Sequence, residues 1–161
     1  MNAFAKKILG LGLLALTIGA SGCTATSASG GGWIPSAACN GDPSCNDKAI
    51  FGGHVACDPN SGGRVSFTYR DSAAGVTGRF DGLIPTDFFG QPYACGATIN
   101  ALDSGVQTAG FLGTFHPNKG ADQTGLLVLL VDPTGVKGVA VALDNGYGNE
   151  QPLSHGNFVI H

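Results

Sequence analysis

The stretch Gly63 to Ile84, GRVSFTYRDSAAGVTGRFDGLI, restricts the fold more than any other part of the chain. Val65, Phe67 and Tyr69 alternate with Arg64, Ser66, Thr68 and Arg70. After a short turn of small residues, Val76, Phe80 and Ile84 alternate with Thr77, Arg79 and Asp81. Successive side chains on a strand project to opposite faces, so this period of two describes a β-hairpin with one buried and one wet face. The remaining residues must cover the apolar face and close the sheet.

The same reading yields eight strand-like segments from Ala49 onward. The first, Ala49 to Cys57, puts Phe51 and Val55 on one face, and the hairpin supplies the second and third. A fourth runs from about Gly96 to Leu102. A fifth, Gln107 to His116, sets Phe111, Gly113 and Phe115 on one side. The sixth, Gly125 to Val131, is apolar on both faces, which asks for cover on both; the expected cover for its outer face is the segment with Trp33 and Ile34, with an exposed apolar stripe that docks a partner as the alternative. Val136 to Leu143 alternates Val139, Val141 and Leu143 with Gly138, Ala140 and Ala142, and His155 to His161 is expected to end the chain inside the sheet. Turn residues such as Asp58-Pro59-Asn60 and Asp132-Pro133-Thr134-Gly135 separate the segments, and no helical period intervenes. The expected fold is all-β: a small antiparallel eight-stranded meander closed or nearly closed into a barrel, with a β-sandwich as the alternative.

The first 22 residues read as a secretory signal, with Lys6 and Lys7 before the apolar run Ile8 to Ala20. Ala20-Ser21-Gly22-Cys23 resembles the bacterial lipobox, which makes Cys23 the acylated, palmitate-type anchor to the membrane. Thr24 rather than Asp follows it, which by that resemblance favours the outer membrane over the inner. Residues 23–32, CTATSASGGG, are expected to be a flexible tether, residues 33–48 a cystine-clipped segment and residues 49–161 the barrel. Without Lys6 and Lys7 the formal charge moves from −3 to −5. That balance, with no basic run, argues against nucleic acid and against an anionic membrane surface as partners.

Apart from Cys23 the cysteines are Cys39, Cys45, Cys57 and Cys95. An even number in an exported chain predicts two disulfides, and the expected pairing is Cys39 with Cys45 and Cys57 with Cys95. No CxxC spacing or finger-like His spacing points to a metal instead. His155 and His161 share a strand face but stand about 20 Å apart. The Asp-Pro turns lack the ligand series of a calcium loop. No Gly-x-Ser-x-Gly motif occurs, and Glu150 is the only glutamate. The chain is therefore read as non-catalytic, without catalytic residues, metal or cofactor, and as a monomer.

Several stretches together resemble the post-COAP domain of secreted and surface bacterial proteins. They are Ile50-Phe51-Gly52, the GRVSFTYRD strand, Val76 to Phe80, Val131-Asp132-Pro133, Ala140 to Leu143, Asn145-Gly146-Tyr147-Gly148, and Pro152-Leu153 with Gly156-Asn157-Phe158-Val159-Ile160-His161. The resemblance covers most of residues 49–161. It departs over residues 85–124, and at Asp71-Ser72, where the family often has Asp-His. It implies a β-rich extracellular fold with no established activity. The functional expectation is an envelope lipoprotein acting as an interaction or structural module for an unknown protein partner. The alternatives are an enzyme inhibitor resembling those of lysozyme, or a barrel for a small apolar ligand. Phe88, Phe89, Asn118 and Lys119, in the loops at 85–93 and 117–124, are the candidate interaction residues.

Overall fold

The computed structural model describes residues 27–161 other than 59–61, 85–86, 89–90 and 93–106, and gives the backbone alone at 57–58, 62–63, 83–84, 87–88, 91–92 and 107–112. The strands among the described residues are β1 (Ser27–Pro35), β2 (Lys48–Asp58), β3 (Gly62–Asp71), β4 (Val76–Ile84), β5 (Asp87–Phe88), β6 (Gln91–Pro92), β7 (Gln107–Pro117), β8 (Gln123–Val131), β9 (Lys137–Leu143), β10 (Gly148–Pro152) and β11 (His155–Ile160). Nine of them form one antiparallel sheet in the order β10-β9-β8-β7-β4-β3-β2-β1-β11, and β5 pairs with β6. The fold is all-β, a curled half-barrel.

Connectivity forces the curl. The sheet's two edges, β10 and β11, follow each other in the chain with only Leu153 and Ser154 between them. Three Cα steps span at most about 11 Å, so the sheet must wrap until its edges nearly meet. Hydrogen bonds fasten this seam: Leu153 N–H donates to the Lys137 carbonyl at 2.8 Å and Ser154 N–H to the Trp33 carbonyl at 3.1 Å. The Lys137 ammonium donates to the Phe158 carbonyl at 2.6 Å and also to Asn157 Oδ1.

Register decides which residues line the inside. The pairs Phe51↔Tyr69, Val55↔Val65, Phe67↔Phe80, Phe80↔Phe115, Leu127↔Val141 and Leu129↔Val139 all lie on the inner face, and all of these residues are buried. Phe51 stacks on Phe67 with ring centroids 5.7 Å apart, and Phe80 meets Phe115 at 5.1 Å. Each buried aromatic contributes roughly 1.5–3 kcal/mol by leaving water. Gly125 makes room for them, since a Cβ there would stand 2.4 Å from Phe80 Cε1. These rings occupy the described interior, which argues for a filled barrel rather than a hollow one.

The hairpin is as its alternation predicts: Val65, Phe67, Tyr69 and Phe80 are buried, while Arg64, Ser66, Thr68 and Arg70 are exposed. Four expectations need correction. Ser27 to Gly32 are not tether but most of β1, paired on one side with β2 and on the other with β11. The cystine-clipped segment is correspondingly shorter than residues 33–48, because Trp33 to Pro35 complete β1 and Lys48 begins β2. Trp33 and Ile34 do not cover β8; Ile34 is buried on the inner face of β1, and Leu126 on the outer face of β8 stays 38% exposed. The last strand is an edge strand rather than an internal one, and a further strand, β10, precedes it. The expected strand at 96–102 lies outside the described residues.

Candidate functional site

The inward positions of β3 run Val65, Phe67, Tyr69, Asp71, so the alternation that buries Tyr69 carries a carboxylate inside as well. Asp71 and Ser36 are fully buried, and Asn149 on β10 is 4% exposed. An inward carboxylate is costly unless donors surround it. Here four do. Oδ1 accepts from Ser36 Oγ at 2.6 Å and from Ala74 N–H at 3.2 Å; Oδ2 accepts from Ala37 N–H at 2.9 Å and from Tyr147 OH at 2.8 Å. All four acceptor positions of the carboxylate are thereby filled.

The network continues inward. With the Tyr147 hydroxyl proton given to Asp71, Tyr69 OH is the donor of the 2.6 Å contact between the two phenols. Tyr69 in turn accepts from Asn149 Nδ2 at 2.9 Å, and the same amide donates to the Pro35 carbonyl at 3.0 Å. Burial pushes the Tyr69 phenol up to about 12, opposed by the hydrogen bond it accepts from Asn149 and reinforced by the charge of Asp71. Burial, then the hydrogen bond with Tyr69 and its charge, then Asp71, push Tyr147 upward too. Both phenols therefore stay protonated through the physiological range.

These residues come from five places: the turn after β1 (Ser36, Ala37), the end of β3 (Tyr69, Asp71), the β3–β4 turn (Ala74), the β9–β10 turn (Tyr147) and β10 (Asn149). Together they knit one end of the half-barrel. The cystine loop sits at that end. Ser36 caps a single 3-10 turn, Ala37–Cys39, by accepting from Ala38 N–H at 3.0 Å, and Cys39 is joined to Cys45. Asp42 closes the loop by accepting from Ser44 N–H and Oγ at 2.8 and 2.7 Å, bonds that hold its carboxyl below the usual range. The sulfurs of Cys39 and Cys45 lie within 4.8 Å of the Asp47 carboxylate and of each other, with both sulfurs committed to the disulfide.

Chemically the network is an anchor for structure. A general base or nucleophile needs a lone pair turned toward a substrate, whereas those of Asp71 are all taken by the protein itself. The carboxylate binds Tyr147, Ser36 and two backbone amides into one unit, and Asn149 ties that unit to Pro35.

Of the residues expected to carry function, only the cystine pair lies at this end among those described. Cys39 and Cys45 form the predicted disulfide. Cys23, Cys95 and Phe89 lie outside the described residues, and at Cys57 and Phe88 the backbone alone is described. Asn118 and Lys119 are exposed on the turn between β7 and β8, where Asn118 N–H donates to the Thr77 carbonyl at 2.8 Å and His116 pairs with Asp122 at 2.8 Å. The structure does not bring them to the polar network. The network itself escaped the sequence reading, although a signal was present: Asp71 has the inward parity of Val65, Phe67 and Tyr69.

No family model, no curated protein and no solved structure matches the chain.

Proposed function

We propose that this protein is a non-catalytic, lipid-anchored module of the cell envelope that presents the cystine end of its half-barrel to a protein partner. The observation that carries this reading is the position of β1. Ser27, its first residue, is four residues beyond Cys23. Four residues reach about 14 Å at full extension, so acylation of Cys23 holds the Ser27 end of the barrel close to the bilayer. β1 then runs nine residues away from that end, about 30 Å, to Pro35 and the cystine loop. Each acyl methylene buried contributes roughly 0.8 kcal/mol to anchoring.

The cystine end suits recognition because its loops are pre-organised. The disulfide, the Ser36 cap and the Asp71 network fix the loop before any partner arrives, which reduces the ordering entropy of binding. Thr24 after the acylated cysteine favours the outer membrane. We extend the proposal to kinship with post-COAP domains; two stretches that carry the resemblance, GRVSFTYRD and Asn145-Gly146-Tyr147-Gly148, contribute Tyr69, Asp71 and Tyr147 to the one network.

Two measurements test the reading. Mass spectrometry of the membrane-extracted protein is expected to find acyl mass on Cys23 that Cys23→Ser abolishes. Affinity capture of envelope proteins by the full chain is expected to enrich a partner whose retention falls at least tenfold for Asp42→Ala. An unmodified Cys23, or a partner indifferent to the cystine end, contradicts it.

A further inference from the structure

A pocket of about 330 Å³ lies over β2, β3 and β4, lined by His54, Arg64, Val65, Ser66, Asp81 and Gly82. That volume is at the lower bound of about 300–1,000 Å³ for small-molecule sites. Register explains the grouping: His54 is opposite Ser66, and Ser66 opposite Asp81, so the three form one row across the outer face. Arg64 stands one row nearer the Ser27 end, at diagonal distance from His54 and roughly 7–8 Å away by Cα geometry. Gly82 keeps the space open. Its φ of 122° disfavours any other residue, and nothing lies within 4 Å of where a Cβ would point.

The charges are unevenly used. Asp81 is bridged by Arg79 at 3.0 Å. Arg64 has no ion pair among the described residues, although it faces the pocket. The lining thus offers one guanidinium fork, an imidazole and a hydroxyl as donors, with a single carboxylate at the other side. A guanidinium fork matches an oxyanion, and a carboxylate with spare lone pairs matches an ammonium.

We propose that this pocket binds a zwitterionic phosphodiester: its phosphate lies on Arg64, His54 and Ser66, and its primary ammonium donates to Asp81. That is the chemistry of a phosphoethanolamine lipid headgroup. Height on the barrel points to the lipid as its source, because Arg64 pairs with Ala56 and Ala56 with Ser27, four residues from Cys23. The choice of a lipid rests on the anchored reading above; the phosphodiester chemistry does not. In a chain without a basic run, recognition falls to one shaped site rather than to a broad attractive field.

The test uses the purified full chain, titrated with soluble glycerophosphoethanolamine and followed by calorimetry and by the imidazole resonances of His54. Saturable binding is expected, at least tenfold weaker for Arg64→Gln. Glycerophosphocholine, whose quaternary ammonium has no N–H for Asp81, is expected to bind at least threefold more weakly. Ser66→Ala gives a second, milder variant should Arg64→Gln unfold. Absence of saturation, indifference to both variants, or inorganic phosphate binding as tightly as the headgroup overturns the site. Vesicles containing phosphatidylethanolamine form the second arm, with Cys23→Ser to remove the anchor. Binding to these but not to phosphatidylcholine vesicles supports the lipid source, and soluble binding without vesicle binding overturns it. Acyl mass on Cys23, measured separately, distinguishes failure of the pocket from failure of the anchor.

Discussion

The middle of the half-barrel and its cystine end are held by different kinds of force. In the middle, Phe51, Phe67, Phe80 and Phe115 pack as stacked and tilted pairs, where any apolar shape of similar volume preserves most of the stabilisation. At the cystine end, Asp71 collects four donors in fixed directions, and Asn149 and the two phenols depend on that arrangement. Apolar packing supplies stability without direction. The polar network supplies direction: it dictates that the turn after β1, the end of β3 and the β9–β10 turn meet in one arrangement. A near-isosteric change should therefore be tolerated in the middle and costly at the end.

The largest effect is expected from Asp71→Asn, which keeps the volume but places N–H groups against donors. Breaking a buried charged cluster on one side costs about 3 kcal/mol or more, a fall in melting temperature of roughly 6–12 °C for a domain of this size. Calorimetric melting checks it, and a loss under about 1 kcal/mol would erase the contrast. Alkaline unfolding comes next. Tyr69 is raised from 10.0 to about 12 in the folded protein, so its stabilising contribution is complete below pH 10 and disappears as pH rises through about 12. Tyrosinate absorbance should therefore rise together with loss of the fold over that window; two tyrosinates forming in an intact fold would contradict the burial.

Reduction of Cys39–Cys45 opens a short loop of sequence separation 6, for which chain entropy predicts a loss of roughly 2 kcal/mol. Denaturant melts with and without a dithiol measure it. The smallest effect is expected in the middle: Phe67→Leu retains an apolar side chain on the inner face and should cost about 1–2 kcal/mol. A larger loss than for Asp71→Asn would reverse the comparison.

How visible each region is in the sequence follows from the same difference. β3 and β4 are legible because one face is wet, so Arg64, Ser66, Thr68 and Arg70 mark the rhythm. β1 hides because Gly30, Gly31 and Gly32 have no side chains with which to alternate; its strand character comes from β2 and β11 on either side. β10 hides for another reason. Its inward residues include Asn149, which serves the polar network, so GNEQP has no apolar beat. The Cys39–Cys45 clip was legible from cysteine parity and proximity. The network was not, because its members lie 76 to 80 residues apart for the tyrosine and asparagine contacts, a separation that only the closed topology bridges.

The most direct test is native-state hydrogen exchange at the Ala37 and Ala74 amides, whose N–H groups donate to Asp71 although both residues sit in surface connections. The account predicts that both exchange only with opening of the cystine end, far more slowly than exposed loop amides, and that Asp71→Asn releases them while amides in the middle of β3 remain protected. Exchange of Ala37 and Ala74 at free-loop rates in the unaltered protein would contradict it.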